Sequence, residues 1–378
     1  MTEREAMARA IELAQKGTGF VSPNPRVGAV ILKNGELISE GYHKKFGGPH
    51  AEVEAIKNAK GVDLEGATIV VNLEPCSHFG KTPPCCDLII EKKFSKVVIG
   101  MKDPNPIVAG KGIKKLRKAG IEVVSGVFEK EAKWLNRTFI KHITAGMPYV
   151  VLKVAQSIDG KIATVSGESQ WITCEESRQE GHKLRAELDA VLVGKNTVLK
   201  DNPQLTVRLK SVYQVNKVRK VRKVYKERNP FRVVLDTNLS LPLIKNVFID
   251  ENNNKTIVCC SEKSADSDKA KKLIKLGVNI LAIKTGKNKK IDLQDCLNKL
   301  SEQFQIASVL VEGGAEIHSS FIKQNLVDEI RFFIAPKIIG KGISAFDRLE
   351  LKKLSDASEF EIKEVCRSGE DLHLTLIK

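Results

Sequence analysis

The sequence predicts two successive mixed α/β domains, and three observations carry that prediction. Strand-like and helix-like runs alternate through both halves of the chain. Its 378 residues are enough for about two or three domains of roughly 100–200 residues each. Gly146-Met147-Pro148 punctuates the alternation, which places the expected domains at 1–146 and 147–378.

The elements follow in order. MTEREAMARAIELAQKG has acids among its first residues and reads as an amphipathic helix, not a signal peptide. RVGAVILKNGELISEGYH reads as a hairpin around Asn34-Gly35, a strong turn pair. AEVEAIKNAKG is a helix, ATIVVNLEP a buried strand, CDLIIEKK the start of a helix, and SKVVIGMKDPNP a strand ending in turns. GIKKLRKAG and IEVVSGV add a helix and a strand, and EKEAKWLNRTFIKHITAG reads as one connecting helix. The second half restarts with the strands YVVLKVAQS, DAVLVG, RVVLD, KTIVCC, NILAI, ASVLVEGG and EIRFFIAP, with helical runs between several of them. No internal repeat is visible.

Composition bounds the function. Hydrophobic residues make up 42% and charged residues 29% of the chain, an ordinary globular balance. No stretch approaches the roughly 20 apolar residues of a membrane span. Eight cysteines without a secretion signal point to reduced thiols and a cytoplasmic protein. The net charge of +16 is partly local, because residues 209–229 hold eight Lys or Arg against the single acid Glu227. Valines at 215, 218, 221 and 224 fit neither helix nor strand spacing, so this segment reads as an irregular basic insertion. A solvated surface loop is the plain explanation of its charge, and a nucleic-acid arm is the rival.

Chemistry concentrates in two places. His50 and Glu52 open a helix after Gly47-Gly48-Pro49, Cys76 follows a strand, and Cys85 starts the next helix. Ligands on adjacent helix starts can converge at one sheet edge. One His and two Cys leave a fourth tetrahedral position open, the pattern of catalytic zinc. Helix N-termini favour the thiolate that binds metal. Glu52 could move protons without ligating, and zinc-activated water with a carboxylate is machinery for hydrolytic deamination. A closed structural site with Cys86 or His78 as fourth ligand is the alternative. The zinc-deaminase signature is H-x-E followed by P-C-x-x-C, whereas here eight residues separate Cys76 from Cys85.

That spacer carries the resemblance. EPCSHFGKTPPC at 74–85, with SPNPRVGAV at 22–30, GGPHAE at 47–52 and DPNP at 103–106, resembles the deaminase half of the bifunctional riboflavin-biosynthesis deaminase/reductase family. The resemblance implies a cytidine-deaminase-like three-layer α/β/α domain. It implies one zinc per chain on His50, Cys76 and Cys85, with Glu52 as proton donor and acceptor and Cys86 as a bystander. Asn24, His78, Lys81, Asp103 and Asn105 would contact substrate. As plain alternatives, Asn24 could shape a turn between two prolines, and His78 could be a loop residue.

The second half has no dinucleotide fingerprint and no P-loop. Gly313-Gly314 lies instead between a strand and a helix, where backbone N–H groups can meet a phosphate. KVAQSIDGKIA, SGESQWIT, HKLRAELDAVLVGKNTVLKDNPQLTVR and VEGG resemble the reductase half of the same family. The resemblance implies a dihydrofolate-reductase-like α/β domain that uses NADPH. Lys153, Ser169, Arg185, Leu205, Arg208 and Glu312 would lie on the substrate side, the arginines suiting a phosphate. Ala155, Trp171, Thr197, Asp201 and Gly314 would lie on the cofactor side. Trp171 could equally be a core aromatic, Arg185 and Arg208 surface charges, and Asp201-Asn202-Pro203 a turn.

The resemblance as a whole implies deamination of 2,5-diamino-6-ribosylamino-4(3H)-pyrimidinone 5′-phosphate, then NADPH reduction of its ribosyl group to give 5-amino-6-(5-phospho-ribitylamino)uracil. It also implies a homo-oligomer, with neither nucleic acid nor membrane as partner. The alternatives are a single-activity deaminase with a non-catalytic second domain, and an RNA-editing or nucleic-acid-binding deaminase. Cys174, Cys259, Cys260, Cys296 and Cys366 read as structural thiols.

Overall fold

Asn34 and Gly35 both take left-handed backbone, with φ of 52° and 79°, as a two-residue hairpin turn requires. They join β1 (Gly28–Lys33) to β2 (Glu36–Tyr42) as an antiparallel pair. The computed structural model of the chain describes residues 1–77, 83–106, 109–209, 213–216, 219–222, 228–286 and 289–378. They divide into two compact units, Met1–Met147 and Pro148–Lys378. The break expected between 146 and 147 lies one residue earlier.

In the first unit β3 (Thr68–Leu73), β4 (Lys96–Met101) and β5 (Glu122–Ser125) run parallel, and β3 joins the hairpin through β1. The strand order is β2-β1-β3-β4-β5. Alternation along the strands makes two cores. Ala29, Ile31, Ile69, Val71, Val97 and Ile99 pack with α2 (Ala51–Asn58), α3 (Cys85–Glu91) and α4 (Lys111–Lys118). Val30, Leu32, Val70 and Val98 face Ala6, Met7, Ala10 and Leu13 of α1 (Glu3–Gln15). Helices thus cover both faces of the sheet, giving three layers. Helix α1 starts at a capping box in which Thr2 and Glu5 bond each other's backbone N–H.

Glycine sets one close approach. A Cβ at Gly41 on β2 would meet the Ala55 nitrogen at 2.4 Å and the Ala51 carbonyl at 2.7 Å, so α2 lies flush on the strand. The single connecting helix expected near 129–146 is two helices, α5 (Glu129–Leu135) and α6 (Arg137–Ala145). The break is at buried Asn136, whose side chain accepts the Arg26 N–H at 2.8 Å and donates to the Arg26 carbonyl at 3.0 Å. A side chain turned inward to serve backbone ends the regular exposed face there.

The second unit holds β6 (Tyr149–Ser157), β7 (Lys161–Thr164), α7 (Glu175–Glu187), β8 (Ala190–Gly194) and α8 (Lys195–Asp201). Then come β9 (Tyr213–Asn216), β10 (Arg219–Arg222), β11 (Phe231–Leu235), α9 (Asn246–Ile249), β12 (Thr256–Ser261), α10 (Glu262–Ala265), α11 (Asp268–Lys275) and β13 (Asn279–Ile283). The last are α12 (Leu293–Phe304), β14 (Ser308–Val311), α13 (Ala315–Lys323), β15 (Glu329–Ala335), β16 (Gly342–Ser344), β17 (Glu361–Ser368) and β18 (Asp371–Ile377). The main sheet has the order β13-β12-β11-β8-β14-β6-β15-β18-β17. It is parallel from β13 to β15, and β18 and β17 close it antiparallel.

Two expectations change. Within the basic insertion, read as irregular, β9 and β10 pair as an antiparallel ribbon. The C-terminal pair β17 and β18 was not expected: seven of the eight positions of β17 face solvent without apolar alternation, and the alternating Leu372, Leu374 and Leu376 of β18 were not read as a strand. Among the described residues, no helix is long and apolar enough to cross a membrane.

Candidate active sites

Three side chains converge beside the first sheet. His50 is the N-cap of α2, Cys76 lies just past β3, and Cys85 is the first residue of α3. Their ligand atoms all lie within 4.8 Å of one another. His50 Nδ1 stands 3.3 Å from Cys85 Sγ and 3.6 Å from Cys76 Sγ. The Cys85 backbone N–H donates to Cys76 Sγ at 3.2 Å. The Cys85 thiol first, then His50 and that N–H, draw Cys76 down to about 4 against its burial, so the thiolate is favoured. Cys86 does not join them. Its thiol donates to the Pro75 carbonyl at 3.3 Å, its side chain belongs to the core, and burial pushes it up to about 12. A soft, partly ionised Cys₂His set with a gap between its atoms suits zinc.

Glu52 is the second residue of α2 and is buried. Burial raises its carboxyl above the ordinary range, with His50 opposing. Asn24, His50, Glu52, Cys76, Asp103 and Asn105 line one cavity of about 380 Å³. Buried His43, which the sequence reading did not single out, lines it too. Its Nδ1–H donates to the Pro49 carbonyl at 2.8 Å, so its Nε2 accepts from the Asn24 amide at 3.3 Å. The Asn24 backbone N–H also closes a turn on Val21, so this residue both shapes the loop and presents a fixed side chain. His78 and Lys81 lie outside the described residues.

The second unit opens a cleft of about 1160 Å³, above the roughly 300–1,000 Å³ of small-ligand pockets. It gathers every residue expected on the substrate side: Lys153, Ser169, Arg185, Leu205, Arg208 and Glu312. It also gathers Ala155, Trp171, Thr197, Asp201 and Gly314. Much of it lies past the carboxyl ends of β8, β11 and β14, where open parallel sheets place ligands. Trp171 is 63% exposed, so the core-aromatic alternative fails, and Arg178 stacks over its ring at 4.7 Å.

One charge pair in this cleft is closed within the protein. Arg185 grips Glu312 with two hydrogen bonds, Nε to Oε1 at 2.7 Å and Nη2 to Oε2 at 2.8 Å. Its Nη1 donates to the Thr206 carbonyl at 3.1 Å. Burial opposes ionisation of Glu312, but Arg185 and then Lys153 more than offset it and draw the carboxyl down to about 2. The surface-charge alternative therefore fails for Arg185, and its fork is committed within the protein. Arg208 is more exposed and donates Nη1 to Thr206 Oγ1 at 3.0 Å. Burial draws Lys153 below its ordinary value against the pull of Glu312.

The cleft also fits a phosphate-bearing cofactor. Gly314 caps α13 without a side chain, and a Cβ there would meet nothing within 4 Å. A Cβ at Gly313 would meet Ile317 at 2.5 Å. The first of the pair lets the helix close on the strand, and the second leaves its N-terminus open. Two lining histidines escaped the sequence reading. Buried His318 turns Nδ1 to the Ala345 carbonyl at 3.3 Å, and its Nε2 has no partner among the described residues. His182 accepts the Arg208 backbone N–H at 3.2 Å. His182 opens the quoted stretch HKLRAELDAVLVGKNTVLKDNPQLTVR without being singled out in it, and His318 lies beyond the quoted VEGG.

Comparisons with known proteins agree with the two-part α/β fold. The cytidine and deoxycytidylate deaminase zinc-binding region matches residues 1–101, and the RibD C-terminal domain matches residues 148–374. The riboflavin biosynthesis protein RibD of Aquifex aeolicus (strain VF5) is 44% identical over 370 residues, 98% of this chain and 97% of that protein. The solved structure of Acinetobacter baumannii RibD, form 1, is similar with a TM-score of 0.87 at 39% identity, covering 99% of this chain and 98% of that one. The diaminohydroxyphosphoribosylaminopyrimidine deaminase/5-amino-6-(5-phosphoribosylamino)uracil reductase of Thermotoga maritima gives a TM-score of 0.85 at 42% identity, with coverage of 99% and 98%.

Proposed function

The chain belongs to the family of bifunctional riboflavin-biosynthesis deaminase/reductases, and from that premise we propose how its residues divide the work. The family joins a zinc-dependent deaminase domain to an NADPH-dependent reductase domain. We assign deamination to 1–146 and reduction to 147–378. The substrate of the first step is 2,5-diamino-6-ribosylamino-4(3H)-pyrimidinone 5′-phosphate, and the deaminated product is the substrate of the second.

One observation carries the first assignment: His50, Cys76 and Cys85 converge beside buried Glu52 in a cavity that also holds Asn24, Asp103 and Asn105. His50, Cys76 and Cys85 would hold the zinc, which when bound supplies Lewis-acid activation of water. Glu52 takes a proton from the attacking water and delivers it to the departing exocyclic amine, while the second water proton ends on the adjacent ring nitrogen, so that amine and water become ring carbonyl and ammonia. Its buried carboxyl, raised toward neutrality, suits both halves of that transfer. Asn24, with its amide fixed by His43, and Asp103 and Asn105 orient the pyrimidine. His78 and Lys81 complete the proposed contacts.

In the reductase, NADPH supplies the hydride. Lys153 lies within electrostatic reach of Glu312 and Arg185 and, with Ser169 and Leu205, faces the substrate. Arg208 offers the substrate phosphate a guanidinium whose fork is less committed than that of Arg185. Ala155, Trp171, Thr197, Asp201 and Gly314 hold the cofactor side. We further propose a cytoplasmic homo-oligomer whose partner is this small phosphorylated pyrimidine, without nucleic acid.

Metal analysis combined with ammonia release on the named pyrimidine tests the reading. One zinc per chain and metal-dependent ammonia release are expected, followed by NADPH oxidation on the product. Ammonia release that survives complete removal of the metal overturns the deaminase assignment.

A further inference from the structure

Glu74 stands two residues before Cys76 and belongs to no ligand set. It is 3% exposed, and its carboxylate is fully engaged with backbone. Oε2 accepts the Asp103 N–H at 3.2 Å and the Gly110 N–H at 3.0 Å, and Oε1 accepts the Ile113 N–H at 3.2 Å. Gly110 is the N-cap of α4 and carries no side chain to cap with, and Ile113 is the third residue of that helix. A carboxylate at the end of β3 therefore caps a helix 36 residues further along the chain.

The oxygen that holds Gly110 also holds Asp103, and the Asp103 carboxylate in turn accepts the Asn105 N–H at 2.8 Å. The neighbouring backbone is clasped from two more directions. A Cβ at Gly112 would meet the Pro75 carbonyl at 2.2 Å, so only glycine lets α4 approach so closely. The Cys86 thiol donates to the same carbonyl. One buried carboxylate thus joins the loop of the ligand Cys76 to the loop that carries Asp103 and Asn105.

We infer that Glu74 is a positioning residue for deamination: it sets the pyrimidine-contacting loop at a fixed place relative to the metal-ligand loop. The inference rests on the reading of Asp103 and Asn105 as substrate contacts. A cap alone would stabilise α4 and nothing more. What distinguishes this cap is that its carboxylate also fixes Asp103.

The test uses the full-length zinc-loaded chain and measures KM and kcat of ammonia release together with zinc content. Glu74→Ala removes the partner of all three N–H groups and is expected to raise KM by about tenfold or more, with kcat little changed and one zinc per chain retained. Glu74→Gln keeps one acceptor oxygen and should raise KM by less. It also gives a second reading if the alanine variant fails to fold. Unchanged KM in both variants overturns the inference, even with a lowered melting temperature. So does loss of zinc from both, which would make Glu74 a support of the ligand loop alone. Asp103→Ala is measured alongside. If it leaves KM unchanged, the reading of the substrate loop is wrong; if it raises KM while the Glu74 variants do not, only the role of Glu74 falls.

Discussion

The metal-ligand cluster and the large cleft position their groups in different ways. In the first unit, His50 and Cys85 sit on helix starts and Cys76 just past a strand end, so local structure aims each proposed ligand. In the second, Lys153 comes from the interior of β6, Glu312 from beyond β14 and Arg208 from a loop. Strand order, with β14 between β8 and β6, brings them together. The cluster can be written in a short stretch of sequence. The cleft exists only once a parallel sheet has formed.

Five outcomes would break or sharpen that contrast, from the largest effect to the smallest. Cys85→Ser should abolish zinc binding and ammonia release, while Cys86→Ser keeps both. Zinc bound by the first variant and lost from the second would invert the register. Glu52→Ala should lower ammonia release by about 10²–10⁴-fold, with zinc content and NADPH oxidation on the deaminated intermediate intact. Normal deamination by this variant would remove Glu52 from the proton path.

Glu312→Gln breaks a part-buried pair, a change that costs at most about 3–5 kcal/mol where one charge is left behind. Calorimetry should show the second unit melting earlier and NADPH turnover falling, with ammonia release unaffected. A smaller effect follows from pH. Burial first, and nearby positive charge after it, holds His182 and His318 at about 4 instead of 6.5. Unfolded, both bind protons near 6.5; folded, they resist until about 4. Stability of the second unit is therefore full above pH 6.5 and declines as pH falls towards 4. Replacing both by Asn should flatten the melting profile in that window. Smallest of all, deleting 209–229 should leave ammonia release unchanged; its loss would return the basic insertion to the catalytic account.

The strands of both sheet interiors were legible because buried parallel strands are continuous apolar runs. The ligand set was legible because a metal restricts residue type and spacing together. Cys85 and Cys86 are adjacent in sequence, and only a one-residue turn of α3 sends the second into the core. Glu74 was quoted within the motif yet carried no visible role, since its three partners lie 29 to 39 residues away. His318 was hidden for the same reason: its anchor is the Ala345 carbonyl. Asn136 looked like one more helical residue, because its tie to Arg26 spans 110 positions. Exposed β17 offered no periodicity to read.

The contact at Gly41 bears on how variation in this chain is to be read. The helix that presents His50 and Glu52 rests directly on β2 through the missing methyl group of one glycine. Gly41→Ala should push that helix outward and carry a proposed ligand and the proposed proton carrier with it. A substitution scan scored by ammonia release would then rank Gly41 beside the reactive residues, although it touches neither metal nor pyrimidine. Intolerance at such a position measures clearance, and metal content read in the same scan is what separates clearance from chemistry.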